Sequence, residues 1–171
     1  MSHEAASLRI RRMTAADLDR VIEIATSLPQ APHWPRNAYL IALSQQAPVR
    51  RVALVAEETK TGVVAGFAVA SVMPPEAELE TIAVAGELQR RGVARRLFTV
   101  LAEELRRQDV RETMLEVRAS NSQAQAFYRS LGFAEAGRRP RYYADPVEDA
   151  VLMRVYLGRS DQVGTSGGSG L

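Results

Sequence analysis

The 171-residue chain has no cysteine, which excludes disulfides, thiolate metal sites and any acyl group carried on a cysteine sulfur. Its two histidines, His3 and His33, cannot make a zinc site by themselves, so no metal is expected. Lysine is almost missing as well. Of 22 basic residues only Lys60 is a lysine, so richness in arginine is a bias of the whole chain and basic patches have to be judged locally. A formal net charge of +2 gives no argument for nucleic acid, and the arginine clusters lack regularly interleaved aromatics. No apolar stretch is long enough to span a bilayer, and the opening "MSHEAASLRIRRM" lacks the apolar run of a signal peptide. A cytoplasmic protein without membrane contact is the expectation. The two common phosphate-loop spacings, G-x-x-x-x-G-K-[ST] and G-x-G-x-x-G, are absent too.

What is present fits one soluble domain: 46% hydrophobic and 25% charged residues, enough to bury a sizeable core. We expect it to span residues 1–158, followed by a disordered Gly/Ser-rich tail over 159–171 that has little to bury. "LRIRRM" reads as a short strand. "TAADLDRVIEIATSL" reads as a helix opened by a Thr14/Asp17 capping box and ended before Pro29. After the proline-broken loop "PQAPHWP", a weaker helix is expected through "RNAYLIALSQQ". "RVALVAEE" and "GVVAGFAVASVM" read as a hairpin around "ETKTG". In "EAELETIAV" the period of two sets Glu78 and Glu80 on the same side as Ile82 and Val84, a conflict that a β-bulge near Thr81 resolves by shifting the phase. Val93, Leu97, Val100, Leu101 and Leu105 recur at helical spacing and predict a helix over 90–107. A strand "TMLEVRA", a helix from the cap residue Asn121 to Gly132, and two strands around "ADPVED" complete the order. This alternation predicts an α/β protein with a mixed sheet covered by helices, and no function by itself.

The start of the 90–107 helix is unusual. Helices favour acidic residues in the first turn, where unpaired amides carry a partial positive charge, yet this one has Arg90, Arg91, Arg95 and Arg96. That start suits an anion held against it, and Gly92 permits close approach of backbone to a pyrophosphate. The plainer reading is that an arginine-rich chain set arginines on solvated positions.

The run from "TIAVAGELQRRGVARRL" to "NSQAQAFYRSLGF" resembles the acetyl-CoA-binding core of the GCN5-related N-acetyltransferase (GNAT) superfamily. Gln89-Arg90-Arg91-Gly92-Val93-Ala94 matches its Q/R-x-x-G-x-G/A signature, with alanine as an allowed last residue. The resemblance covers nearly everything from Glu76 to Met153, is weaker in the N-terminal third, and is closest to the branch of bacterial ribosomal-protein alanine N-acetyltransferases. It implies a central twisted, mostly antiparallel sheet flanked by about four helices. It also implies acetyl-CoA as cosubstrate, with Ile82, Ala83 and Val84 pairing with the pantetheine arm and the amides of Arg90, Arg91, Gly92, Val93, Ala94 and Arg95 holding the pyrophosphate. Asn121 matches a cofactor-contacting position, and it is also a good helix cap; the two roles are compatible, because capping leaves the amide donors free.

Acetyl transfer to an amine needs a base for the amine and a proton donor for the departing sulfur. The resemblance implies Glu116 as base and Tyr128 as donor. Without it, Glu116 reads as an exposed strand residue paired with an arginine such as Arg118, and Tyr128 as a core aromatic with its hydroxyl at the rim. Glu78 is a rival base, and Glu80 can also face the acceptor. Tyr142 and Tyr143 match paired tyrosines that close over the first residues of a peptide, although adjacent strand residues also alternate in and out for purely geometric reasons. Trp34 and Tyr39 lie in the segment that forms the opposite wall, where the chain departs from the family pattern. The implied acceptor is a protein N-terminal amine, plausibly the N-terminal alanine of a small-subunit ribosomal protein. Another terminus or a small-molecule amine, or a non-catalytic acyl-CoA-binding module, are the alternatives.

Overall fold

The computed structural model describes residues 7–158; the Gly/Ser-rich tail and residues 1–6 lie outside the described residues. In chain order the elements are β1 (Leu8–Arg12), α1 (Leu18–Ser27), α2 (Arg36–Leu43), β2 (Arg50–Glu58), β3 (Val64–Met73), β4 (Glu76–Val84), α3 (Val93–Arg107), β5 (Glu112–Arg118), α4 (Ser122–Ser130), β6 (Ala134–Ala144) and β7 (Val147–Tyr156). The strands form one seven-stranded sheet in the order β1-β2-β3-β4-β5-β7-β6. Every neighbouring pair is antiparallel except β4 and β5.

Both faces of the sheet are covered, and the alternation of side chains along each strand divides the core in two. Val52, Leu54 and Ala56 of β2 pack with Leu97, Leu101 and Leu105 of α3. Their neighbours Ala53 and Val55 join Phe67 of β3 and Leu18, Val21, Ile24 and Tyr39 of α1 and α2 on the other face. Because β3 is buried on both sides, it is an almost unbroken apolar run.

The bulge in β4 is present. Val69 pairs with Thr81 and Ala70 with Leu79, which leaves Glu80 unpaired. Before it Ala77 and Leu79 face α3, after it Ile82 and Val84 do, and Ala83 turns to the opposite core. One extra residue thus reconciles the acidic and apolar positions of "EAELETIAV".

Three boundaries differ from the sequence expectation. The first turn after Thr14 is a 3-10 turn over Ala15–Asp17, and the α-helix begins only at Leu18. The capping pair persists, with the Thr14 amide donating to Asp17 Oδ2 at 2.8 Å. Helix α2 stops at Leu43, with Ser44 already extended. Helix α3 begins at Val93 and not at residue 90, because Arg90 and Gly92 have φ of 61° and 79°, which no right-handed helix accepts.

Strands β4 and β5 stay paired only from Glu76↔Glu112 to Glu78↔Met114. Beyond Glu78 they part, and the edge of β4 over Thr81–Val84 that faces β5 carries no ladder. Parallel neighbours joined by α3 separate here, opening the sheet at its centre.

Candidate active site

At one end of the open edge lies the turn between β4 and α3. Gln89 Nε2 donates to the Val84 carbonyl at 3.1 Å, which ties the turn to the last residue of the strand. The first bond of the helix runs from the Arg96 amide to the Gly92 carbonyl at 3.0 Å, so the amides of Val93, Ala94 and Arg95 precede any intrahelical acceptor. No side chain caps this end and its first turn holds no acidic residue. A Cβ built on Gly92 would meet nothing within 4 Å, so the space above the turn is open. Left-handed residues beside a helix start turn successive amides toward one point, a concavity suited to phosphate oxygens. The arginine side chains do less here than their number suggests. Arg95 reaches back to Ser130, donating to its Oγ at 3.0 Å, and Arg96 donates to the Leu8 carbonyl at 2.8 Å. With Arg95 and Arg96 engaged elsewhere, the turn offers an anion its backbone amides first.

Asn121 caps α4, its Oδ1 accepting from the Ala124 amide at 3.1 Å, and its side-chain amide donates to none of the described residues.

At the other end, where β4 and β5 part, is a cleft of about 160 Å³ whose charged lining is Glu76, Glu78, Glu116 and Arg139. Leu115 and Val117 of β5 are buried toward α3, so Glu116 faces away from α3 by alternation. Glu78 shares that side. Burial, then the negative charges of Glu116 and Glu80, push the Glu78 carboxyl above its ordinary pKa, against the pull of Arg139 and Arg51. Glu116 meets Arg139 Nε at 3.1 Å. Sequence order suggests Arg118 as its partner; instead Arg118 pairs with Glu148 at 3.3 Å and lies 4.2 Å over the Tyr143 ring.

The tyrosines arrive through an irregularity of β6. Arg139 pairs with Ala150, yet Tyr143 pairs with Glu148, so residues 140–142 bulge out. Pro140 donates no hydrogen bond, Arg141 has φ of 50°, and the Arg141 amide bonds Asp149 Oδ1 at 2.9 Å. Tyr142 and Tyr143 are therefore not simply alternating strand residues: their rings contact each other edge-on, centroids 5.1 Å apart. Both phenols are held above their ordinary pKa, Tyr142 first by its bond to the Glu116 carboxylate, Tyr143 first by burial and then by Glu116. Tyr143 also contributes to the field at Tyr128. Tyr128 packs on Phe127 and Phe133, with centroids 5.5 and 5.7 Å away. Burial, with a smaller effect from Tyr143, pushes its phenol up to about 12, so it stays protonated at neutral pH. Among the described residues no group of three or more acidic or histidine side chains is placed to hold a metal.

Tyr39, expected in the opposite wall, and Glu80, expected to face the acceptor, belong elsewhere. Tyr39 is a core residue, 1% exposed, stacked edge-on to Phe67 and tilted against half-buried Trp34. Glu80 is turned to Arg51 in a two-pronged ion pair.

The acetyltransferase (GNAT) family matches residues 18–133. The [ribosomal protein bS18]-alanine N-acetyltransferase of Escherichia coli K12 is 40% identical over 133 residues, 75% of this chain and 90% of that protein. The chain belongs to the GNAT family. A putative enzyme of the same name from Bacillus subtilis is 30% identical over 148 residues, 86% of this chain and 95% of its own. The crystal structure of the Escherichia coli ribosomal-protein-S18-alanine N-acetyltransferase superposes with a TM-score of 0.77 at 32% identity, covering 92% of this chain and 99% of that one.

This GNAT enzyme is thus an acetyl-CoA-dependent N-acetyltransferase, with the mixed, mostly antiparallel sheet of its family. The residue that sequence reasoning missed is Arg139. The only local signal for it was Pro140, which marks a place where a strand cannot keep its ladder.

Proposed function

We propose that this protein acetylates the α-amine of a protein N-terminus, and that the N-terminal alanine of ribosomal protein bS18, named in its relatives, is the acceptor. The observation that carries this is the cleft itself: two carboxylates, Glu78 and Glu116, lie where β4 and β5 part, under a tyrosine pair delivered by the β6 bulge. A peptide terminus needs a place for one ammonium and polar walls for the backbone behind it. This cleft has both.

Acetyl-CoA, when bound, supplies the thioester carbonyl. The turn amides of residues 90–95 would hold its pyrophosphate, and the free edge of Ile82, Ala83 and Val84 would pair with its pantetheine arm. Asn121, whose Oδ1 is used by its helix cap, would offer the cofactor its side-chain amide. Glu116, with Glu78 next to it, accepts the proton the amine must lose before it attacks. Tyr128, protonated and without a hydrogen-bond partner among the described residues, gives its O–H to the sulfur that departs. Tyr142 and Tyr143 position the acceptor. With no cysteine to carry an acyl group, transfer is direct, so both substrates occupy the protein together.

The test is acetylation of a synthetic peptide with the bS18 N-terminal sequence, followed by mass spectrometry, beside the same peptide blocked at its terminus and a polyamine. Acetyl on the free terminus alone supports the reading. Acetyl on the polyamine and not on the peptide overturns it.

A further inference from the structure

The pairing of Glu116 with Arg139 is built to come apart. Glu116 is held on a central strand with its side chain 18% exposed, whereas Arg139, on the irregular edge strand, is 57% exposed and meets it through Nε at 3.1 Å. The other acid–base pair on this side of β4 is different: Arg51 and Glu80 are 21% and 16% exposed and share two contacts, at 2.7 and 3.1 Å. A loosely held guanidinium beside a fixed carboxylate is an exchangeable ion. Arg139 also has a second hold that does not depend on Glu116, since its guanidinium already lies over the exposed Tyr142 ring, 5.7 Å from its centre.

The charges around Glu116 leave this role to Arg139. Glu76 and Glu78 of β4 and Arg139 of β6 share its cleft, Tyr142 and Tyr143 of β6 feel its charge, Glu80 and Arg51 act on neighbouring Glu78, and Arg118 and Glu148 act on Tyr143. Arg51 is committed to Glu80 and Arg118 to Glu148. Among the described residues, Arg139 is therefore the single cation lining a cleft that also holds Glu76, Glu78 and Glu116.

Resting on the acceptor reading above, we propose that Arg139 is a positioning residue that occupies, in the free enzyme, the place the acceptor's ammonium takes beside Glu116, so that acceptor binding exchanges one cation for another at a fixed carboxylate. The chemistry of the two ions makes the exchange productive. A guanidinium cannot give up its proton, so while Arg139 sits there the carboxylate has no proton to take. An α-ammonium has a reference pKa of roughly 7.7–8.0 and can give its proton to the same carboxylate. The proton moves from amine nitrogen to Glu116, the lone pair it frees is the one that attacks, and Arg139, released from Glu116, stays on the Tyr142 ring.

Arg139→Gln and Arg139→Lys test this, with circular dichroism confirming that both fold. In Arg139→Gln the acceptor no longer competes with a resident cation. The peptide KM should fall roughly three- to fivefold, the scale of a partly exposed ion pair. The KM for acetyl-CoA should not move. In the free protein, the NMR titration of the Glu78 side-chain carboxyl carbon should move to higher pH, because Arg139 pulls it down in the wild type, and Arg139→Lys should restore both readouts toward wild type. A wild-type enzyme inactive on the alanine-starting peptide overturns the acceptor reading and the exchange with it. An active wild type whose peptide KM is unchanged or raised in Arg139→Gln overturns the exchange alone, because Arg139 then either does nothing or grips the acceptor.

Discussion

Arg51 on β2 grips Glu80, the one unpaired residue of the β4 bulge, through Nε at 2.7 Å and Nη2 at 3.1 Å. The bulge sets which side chains of β4 face the cleft, so this ion pair holds the phase of the strand next to the site. Replacing Glu80 with Gln leaves a partly buried guanidinium without its counter-charge, and should destabilise the fold by about 1–3 kcal/mol. Urea unfolding checks this: the midpoint should fall with the slope unchanged. Arg51→Gln combined with Glu80→Gln should lose less than the sum of the two single changes.

Gly66 of β3 lies against the backbone of the open edge. A Cβ there would meet the Ala83 carbonyl oxygen at 2.7 Å and Val84 Cγ2 at 3.2 Å. Gly66→Ala forces β3 and β4 apart, and overpacking of this kind costs about 1–3 kcal/mol. The displaced residues are those proposed to pair with the pantetheine arm. The KM for acetyl-CoA should therefore rise, while the peptide KM changes less, which steady-state kinetics with each substrate varied in turn will show.

Tyr128→Phe separates turnover from binding. The ring contacts with Phe127 and Phe133 persist in Phe, so the fold and coenzyme A binding by calorimetry should be retained. Loss of the hydroxyl should lower kcat by roughly a hundredfold, the lower range for a positioned proton donor. A variant with wild-type turnover would remove Tyr128 from the mechanism.

Most of the architecture was legible because its signals are local. The stripe of α3 repeats over Val93, Leu97, Leu101 and Leu105, and the clash of Glu78 and Glu80 with Ile82 and Val84 demanded the bulge that Glu80 supplies. The proposed site is marked in the sequence only by family motifs, at the Gln89–Ala94 turn and at Glu116 and Tyr128. Arg139 over Glu116 escaped, because it depends on how a bulge of β6 folds back across β7 onto β5, a relation between residues 23 positions apart that no periodicity encodes. Tyr39 was misplaced for a related reason. Helix α2 is short and mixed in character, with Leu40 and Ile41 exposed, so its pattern does not tell which side is inward.

Asp17 makes stability depend on pH at the far end of the molecule. Arg11 holds it through Nη1 and Nη2, both at 2.8 Å, and the Thr14 amide adds a third bond. Chiefly because of Arg11, its carboxyl is held below the ordinary aspartate pKa. A lowered folded-state pKa means stability that is present above the unfolded value of 3.8 and lost as pH falls through the folded one. Asp17→Asn should thus be less stable than wild type by about 1–3 kcal/mol at pH 7. The gap should narrow below pH ~4, as denaturant unfolding at both pH values will report.

Glu78 has the opposite sign, and this connects the site to the stability of the fold. Burial and the charges of Glu116 and Glu80 raise its pKa, so the native state binds its proton more tightly than the unfolded chain does. That contribution is fully present below the unfolded pKa and is lost as pH rises through the folded one. Ionised Glu78 therefore works against folding at neutral pH. Glu78→Gln should be more stable than wild type at pH 7, and its advantage should shrink toward pH 4. The same change should reduce turnover, since the cleft loses one of the two carboxylates beside the acceptor amine. Glu116→Gln supplies the control: with one like charge removed, the Glu78 carboxyl should titrate at lower pH in a carbon NMR experiment. Equal stability of Glu78→Gln and wild type across this range, with Glu78 titrating as a free glutamate, would mean that the two carboxylates do not share a desolvated site.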